Sequence, residues 1–330
     1  MERFKTIELV KIESERIIIY KKLLGYFPKK NKTSFVSENN KKGKIEGKLS
    51  KSAKKKIKNI LNIWITCIQF YLLANKKSLK ETNKYIKFIT LTLSQKQFTT
   101  DKAIKRDMLN ELLIILKRKY NLKNYLWIAE TQKNGNLHFH IITDTFINHI
   151  NLRNEWNKIQ YKNGYLTNYS NKKGHKNANS TDINYLKKIY NITAYLTKEA
   201  TKGQQNRPIS GKLYGTSKNL MKLETYENLY NGEINDTLNA MSKKKYLEVY
   251  TDKFFSVIFY ESYNFFENMV TALKLDLFKH YVQQMDILLM DTEFIKQEPQ
   301  KSIKTIKLEV ASENYKEYVR QLEIEFEKNK

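Results

Sequence analysis

The chain has 330 residues, 41% of them hydrophobic, so it can hold one large domain with appendages or two smaller domains, and a fully disordered protein is excluded. Its 60 Lys and Arg residues outnumber 34 Asp and Glu residues, and this formal net charge of +26 indicates a polyanionic partner. Aromatic residues make up 12% of the chain and favour single-stranded nucleic acid, on whose unpaired bases flat rings stack.

The sequence also restricts the compartment and the metal chemistry. The first residues lack the basic, apolar and small-residue order of a secretory signal, so a cytoplasmic protein is expected. The single cysteine, Cys67, cannot form an internal disulfide or a thiolate cluster for structural zinc. Any metal site therefore depends on carboxylates and the five His residues, and no small-molecule cofactor is expected.

Residues 1–83 are predicted to form a basic arm and a helix. Residues 28–58 combine runs of Lys with Gly and Ser, which is typical of a partly flexible linker or of a weak nucleic-acid contact. Residues 60–74 are strongly apolar but shorter than the about 18 to 20 residues of a membrane-spanning helix. Their helical spacing predicts a helix with one face packed on the protein, rather than a membrane anchor.

Residues 84–222 are predicted to form a layered α+β domain. Residues 86–93 are apolar and β-branched, which predicts a buried strand. Thr100 is a suitable N-cap for an amphipathic helix over residues 104–120. A strand followed by such a helix is typical of the opening of an α+β domain.

The second half of this domain contains a hairpin and a further helix. Apolar runs at 125–131 and 137–143 flank an Asn-Gly dipeptide, which predicts a β-hairpin. An extended segment is expected at 180–186 and a helix at 188–202. Residues 223–330 are charged and favour helix, so we predict a helix-rich C-terminal region and assign it no role.

A pair of histidines is the first chemical signal. His138 and His140 are two residues apart on a predicted strand, so they share one face. A three-residue hairpin loop with Gly135 in the left-handed conformation would place Glu130 opposite His138, whereas a two-residue loop would place Thr131 there.

The first register would complete a His, His, carboxylate set with open positions for substrate oxygens. Taken alone, a His pair is equally consistent with ordinary hydrogen-bonded histidines. Gln132, two residues after Glu130, is an alternative or supplementary ligand. Mn²⁺ or Mg²⁺ would suit these donors, by affinity and by availability respectively.

A tyrosine in the predicted helix is the second signal. Tyr195, Lys198 and Lys202 fall on one helical stripe. A phenol with a pKa of about 10 is a poor nucleophile at neutral pH unless proton removal and phosphate polarisation assist it. A bound divalent metal would supply the polarisation, and Lys198 would stabilise the added negative charge.

These segments resemble, in order and spacing, the motifs of the HUH endonucleases, and within them the replication-associated proteins of bacteriophages and plasmids. Residues 88–94 resemble the first strand motif, residues 138–140 resemble the metal-binding His-hydrophobic-His motif, and residues 195–198 resemble the nucleophile motif. The resemblance covers residues 45–222 and is most similar to initiators from small phages and elements of Bacteroidetes-type hosts.

The resemblance implies an HUH nuclease fold and a rolling-circle replication initiator in a bacterial cytoplasm. Such an enzyme nicks single-stranded DNA at an origin by metal-assisted attack of Tyr195, keeps a 5′-phosphotyrosine, leaves a free 3′ hydroxyl and later rejoins the ends. Host helicase and DNA polymerase are implied partners. Two-nucleophile relatives often carry a second Tyr one turn later, where this chain has Glu199 and Lys202, so a single-tyrosine enzyme is expected, with Tyr190 in reserve.

Two other functions fit the same sequence. A non-catalytic protein that binds single-stranded nucleic acid would use the charge and the aromatic residues, with the His pair incidental. A transposase or relaxase would share the nuclease chemistry and differ in the DNA that it recognises.

Overall fold

In this computed structural model the chain forms two compact units. The terminal unit comprises Met1–Asn40, Asn62–Leu79 and Leu223–Lys330, and the central unit comprises Lys41–Leu61 and Lys80–Lys222. Compact units need not follow consecutive regions of sequence, and the three-region division stays a prediction. The structure describes residues 5–13, 16–24, 47, 49–74, 85–185, 207–243, 247–252, 255–260, 269 and 271–289.

Both units combine helices with an antiparallel sheet. The strands are β1 (Lys5–Ile12), β2 (Arg16–Leu24), β3 (Lys87–Thr92), β4 (Tyr125–Thr131), β5 (Leu137–Thr143), β6 (Thr181–Tyr185), β7 (Tyr214–Thr216), β8 (Tyr226–Leu229), β9 (Leu247–Thr251) and β10 (Phe255–Tyr260). The helices are α1 (Lys51–Ala74), α2 (Asp101–Ala103, Ile104–Leu109 and Asn110–Tyr120 in one run), α3 (His149–Lys162), α4 (Thr167–Lys173), α5 (Gly232–Lys243) and α6 (Thr271–Leu289).

The sheet of the central unit has the strand order β6-β3-β5-β4-β7, and every pairing is antiparallel. Leu91, Phe139 and Trp127 lie on one face and join the apolar residues of α2 and α3 in a single core. Because side chains alternate along a strand, the residues between them point to the opposite face. The predicted α+β class with an antiparallel sheet and flanking helices is therefore confirmed.

Helix α2 confirms the predicted cap and adds an unexpected segment. The Thr100 hydroxyl accepts a hydrogen bond from the Ala103 amide at 3.2 Å, as an N-cap does. Residues Ile104–Leu109 are π-helical, a rare form that inserts an extra residue into the turn. Asn121 ends the helix in the left-handed conformation, with φ at 54°.

The sheet of the terminal unit was not predicted. Its strand order is β8-β1-β2-β10-β9, with every pairing antiparallel, so the expected basic arm and helix-rich tail both contribute strands. Val10 and Ile12 on β1 and Ile17 on β2 are buried. On α6, the Tyr281 hydroxyl donates to the Ile12 carbonyl at 3.0 Å and its ring stacks on Phe70 at 4.2 Å.

Helix α1 differs from the prediction at its start and on its surface. It begins at Lys51, so its first basic residues are helical rather than part of a flexible arm. Its apolar part is buried on every side, with Trp64 and Cys67 both fully inaccessible, because apolar residues surround this stretch of the helix rather than forming one stripe. Burial raises the pKa of the Cys67 thiol far above its usual range. Within the described ranges, no helix has the combination of length and apolarity required to cross a membrane.

Candidate metal and nucleic-acid site

The β4–β5 hairpin decides between the two registers left open by the sequence. The Gln132 amide donates to the Asn136 carbonyl at 2.9 Å, which closes a three-residue loop, and Gly135 has a φ of +82°. Glu130 consequently pairs with His138, as the three-residue loop predicts. Left-handed backbone favours Gly, because a Cβ there crowds the following carbonyl.

The two histidines and Glu130 lie on the face of the central sheet opposite the α2 and α3 core. His138 pairs with Thr92 of β3, and His140 pairs with Thr90. The His138 and His140 rings lie 4.5 Å apart at 79°. The hairpin and the central strand β5 thus bring all three predicted ligands to one place.

Distances connect these side chains directly. His140 Nε2 lies 3.3 Å from Glu130 Oε2, and His140 Nδ1 lies 3.3 Å from the Thr90 hydroxyl. The side chain of His140 is 6% exposed and that of Glu130 is 14% exposed. A buried carboxylate and two buried imidazoles therefore sit together at the end of the hairpin.

Two atoms of this group have no hydrogen-bond partner. Glu130 Oε1 and His138 Nδ1 are both buried and unsatisfied. Burial lowers the pKa of His138 to about 4; the neighbouring His140 lowers it further, and Glu130 opposes the shift. The His138 imidazole is therefore uncharged at neutral pH, which leaves a nitrogen lone pair available.

The three side chains do not form a finished metal cage. Among the residues that the structure describes, no group of three or more His, Cys, Asp and Glu side chains could hold a metal ion as placed. The orphaned oxygen and nitrogen nevertheless fit the chemistry of a divalent cation, which accepts these donors. The metal assignment, with Mn²⁺ or Mg²⁺ and with Gln132 as a further ligand, stays a prediction. Tyr195, Lys198 and Tyr190 lie outside the described residues, and their roles stay predictions too.

A second cluster beside the hairpin was missed by sequence reasoning. Arg207 donates two hydrogen bonds to the Asp101 carboxylate, at 2.7 and 2.8 Å, and a third to the Gly135 carbonyl at 2.9 Å. Asp101 is 4% exposed and also accepts from the Gln97 side chain and the Ser210 amide. A polar pair separated by 106 residues leaves no local signal in the sequence.

This cluster holds three segments together, namely the loop before α2, the hairpin turn and the segment from residue 207. The Gln97 amide donates to the Asn136 side chain, and the Leu137 amide donates to Gln97 Oε1 at 2.9 Å. The contacts end one residue before His138. An open cleft of about 520 Å³ lies between the three segments, lined by polar residues that include Lys96 and Asn134.

Comparison with known families bears on the same segment. Residues 86–204 match the family model of the replication-associated protein ORF2. This segment is of the replication-associated type. It contains the hairpin with Glu130 and both histidines, and it extends over Tyr195.

The replication-associated segment makes DNA the partner that the positive charge indicated. A search of curated proteins and a search of solved structures each found no match. The narrower resemblance to Bacteroidetes-type initiators stays a prediction.

Proposed function

We propose that the chain is a rolling-circle replication initiator that nicks single-stranded DNA at an origin. The observation that carries the proposal is the pair of unsatisfied buried atoms, Glu130 Oε1 and His138 Nδ1, beside His140 in a replication-associated segment. Buried polar atoms without partners are rare in folded proteins unless another group satisfies them. A cation and a DNA phosphate are the groups that suit this face.

Glu130, His138 and His140 would hold Mn²⁺ or Mg²⁺. When bound, the cation polarises the scissile phosphate and neutralises charge that develops in the transition state. Thr90 holds the His140 ring through Nδ1, and such outer contacts orient metal-binding histidines. Burial of the group keeps competing water away from the phosphate.

Tyr195 would be the nucleophile. Its phenol oxygen forms a bond to phosphorus while the bond from phosphorus to the 3′ oxygen breaks. The phenolic proton passes to solvent, and the leaving oxygen takes up a proton, so the products are a 5′-phosphotyrosine and a 3′ hydroxyl. Lys198 would stabilise the negative charge on the phosphate.

The two products of the nick determine the later steps of replication. A DNA polymerase extends a free 3′ hydroxyl and a helicase separates the strands ahead of it, so both host enzymes are proposed partners. Attack of a 3′ hydroxyl on the phosphotyrosine reverses the first step and rejoins the ends. One tyrosine serves both steps in this proposal.

A covalent adduct tests the proposal directly. The protein is incubated with Mn²⁺ and single-stranded DNA that carries the origin of its own element, and DNA attached to protein is detected on a denaturing gel. Wild type is expected to form an adduct, while Tyr195→Phe, His138→Ala and a chelator each abolish it. Tyr161→Phe is a matched control, because it removes an exposed phenol that the proposal does not use.

Other outcomes separate the alternatives. An adduct that survives in Tyr195→Phe and disappears in Tyr190→Phe would move the nucleophile to Tyr190. Tight DNA binding by wild type without any adduct would favour a non-catalytic nucleic-acid-binding protein. Adduct formation on DNA from transposon ends or transfer origins, and none on a replication origin, would favour a transposase or relaxase.

A further inference from the structure

An aromatic ring is held out to solvent close to the candidate site. Phe98 is 61% exposed and lies in the loop of residues 93–100 that joins β3 to α2. The loop starts directly after Thr92, the β3 residue that pairs with His138. A single exposed Phe is common on protein surfaces and by itself needs no explanation.

The loop that carries Phe98 is fixed on both sides of the ring. Before it, the Ser94 amide donates to the Gln160 side chain at 2.7 Å. After it, the Thr99 hydroxyl lies 2.6 Å from the Tyr165 hydroxyl, which also accepts from the Thr99 amide at 3.1 Å. The Gln160 side chain is fully buried and Tyr165 is 1% exposed, so the anchors belong to the core of the unit.

Phe98 therefore has one covered face and one open face. Its ring stacks on the Tyr165 ring at 4.4 Å and 18°. Gly164 lies beside it, and a Cβ at that position would come within 3.4 Å of the Phe98 ring. Holding a large apolar ring rigidly in water has a cost and no packing benefit on the open side, which indicates a ligand that covers it.

The surroundings of the ring determine the class of ligand. Lys96 lies in the same loop, and Lys172, Lys173 and Lys176 follow Tyr165 along the chain, all four exposed. The sequence has no Asp or Glu between Glu155 and Asp182 or at residues 93–100. Positive charge beside a flat apolar face suits a polyanion that also presents flat rings.

We propose that Phe98 is a stacking platform for an unpaired base of single-stranded DNA, with phosphates contacted by the nearby lysines. Duplex DNA covers its base faces by internal stacking, so a single aromatic platform selects unpaired strands. The choice of DNA rests on the proposed function, and the platform would hold the strand next to the end of the sheet that carries His138.

The experiment compares Phe98→Ala with Phe146→Ala, which removes another exposed ring, 56% exposed, from the same unit. Affinity for a labelled single-stranded oligonucleotide is measured by fluorescence anisotropy in chelator, so that cleavage plays no part. We expect Phe98→Ala to weaken binding about ten-fold or more, in line with the loss of one base stack, and Phe146→Ala to leave it unchanged.

Substitutions of equal bulk separate stacking from other effects. Phe98→Trp is expected to keep the affinity, and Phe98→Leu is expected to lose most of it although Leu is apolar and folds as well. Equal affinity in wild type and Phe98→Ala would overturn the inference. So would full affinity in Phe98→Leu, which would indicate an apolar contact such as a protein partner.

The outcome can be separated from that of the nuclease proposal. Loss of binding in Phe98→Ala together with no covalent adduct from wild type would support the platform and overturn the nicking reaction. A normal adduct with unchanged binding in Phe98→Ala would do the reverse. Failure of wild type to bind single-stranded DNA at all would overturn both.

Discussion

At the scale of single residues, the hydrogen bond to Thr90 defines how His140 can act. The Thr90 hydroxyl lies 3.3 Å from Nδ1, and Nε2 lies 3.3 Å from Glu130. If Nδ1 carries the proton and donates it to the hydroxyl, the lone pair of Nε2 faces the carboxylate side, where the cation is proposed. An outer partner of this kind commonly contributes about 10- to 100-fold to metal affinity or activity.

Thr90→Val keeps the shape of the side chain and removes the hydroxyl. We expect the Mn²⁺ concentration for half-maximal adduct formation to rise about ten-fold, because the His140 ring loses its anchor. Titration of Mn²⁺ in the adduct assay measures this shift. Thr90→Ser is the control and is expected to behave as wild type, and an equal shift in both variants would contradict the role of the hydroxyl.

Gly135 gives a second prediction at this scale. Its φ of +82° is strained for other residues, although a Cβ would meet only Arg207, at 4.0 Å. Gly135→Ala is therefore expected to lower the free energy of unfolding by about 1 kcal/mol through the backbone alone. Gly135→Asn is expected to lose less, since Asn tolerates this conformation, and denaturant unfolding compares the two.

The residues of the hairpin could be predicted because their signals are local. The Asn-Gly dipeptide and the spacing of His138 and His140 determine which side chains share a face. The orphaned atoms and the exposed ring of Phe98 could not be predicted, because burial depends on residues far away in sequence.

At the scale of elements, the Asp101–Arg207 pair joins the start of α2 to the hairpin turn. Burial acts to raise the pKa of Asp101, but hydrogen bonds from Arg207, Gln97 and Ser210 outweigh it, and the pKa is lowered overall. A carboxyl whose pKa is lowered on folding stabilises the protein above its unfolded pKa of about 3.9 and loses that contribution as pH falls through the folded value.

Asp101→Asn keeps the shape and removes the charge. At pH 7 we expect the free energy of unfolding to fall by about 2 to 3 kcal/mol, because Arg207 loses its ionic partner. The difference from wild type should stay constant from about pH 7 to 5 and shrink below about pH 4, where the wild-type carboxyl takes up a proton. Thermal unfolding across this range measures it.

The exposed pair Arg106 and Asp107 supplies the control. Its carboxyl also has a lowered pKa, but both side chains are solvent-exposed, so Asp107→Asn should change stability little. Equal losses in the two Asn variants would contradict a special role for the buried pair.

Elements with local signals were predicted and those that depend on distant contacts were not. The Thr100 cap, the strand over residues 86–93 and the hairpin follow from neighbouring residues. The π-helical turn in α2 and the Arg207 contacts arise from packing between segments about 100 residues apart, which no short pattern encodes.

At the scale of the whole molecule, the positive charge is concentrated in one unit. In the described residues of the central unit, 25 Lys and Arg face 7 Asp and Glu, whereas the terminal unit has 8 and 10. The sequence predicted a polyanionic partner from the total charge alone. It could not assign that charge to one unit, because β1 and β8 of the terminal sheet pair across more than 200 residues.

This division predicts where salt acts. Each Lys that neutralises a phosphate of a single strand contributes about 0.7 to the slope of log affinity against log salt concentration. Lys172→Ala with Lys173→Ala, in the central unit, should therefore reduce the slope by up to about 1.4. Lys21→Ala with Lys22→Ala, an exposed pair in the terminal unit, should leave it unchanged. Binding titrations at several salt concentrations compare them, and equal slopes in both double variants would contradict the division.

The burial of Cys67 makes the natural chain a chemically silent background for labelling. The chain has one thiol, and it is fully inaccessible and held protonated within α1. A maleimide dye should leave the native protein unmodified and react only after unfolding. A cysteine introduced at exposed Lys96 would then be the one reactive position, and a dye there would report directly when a DNA strand arrives beside Phe98.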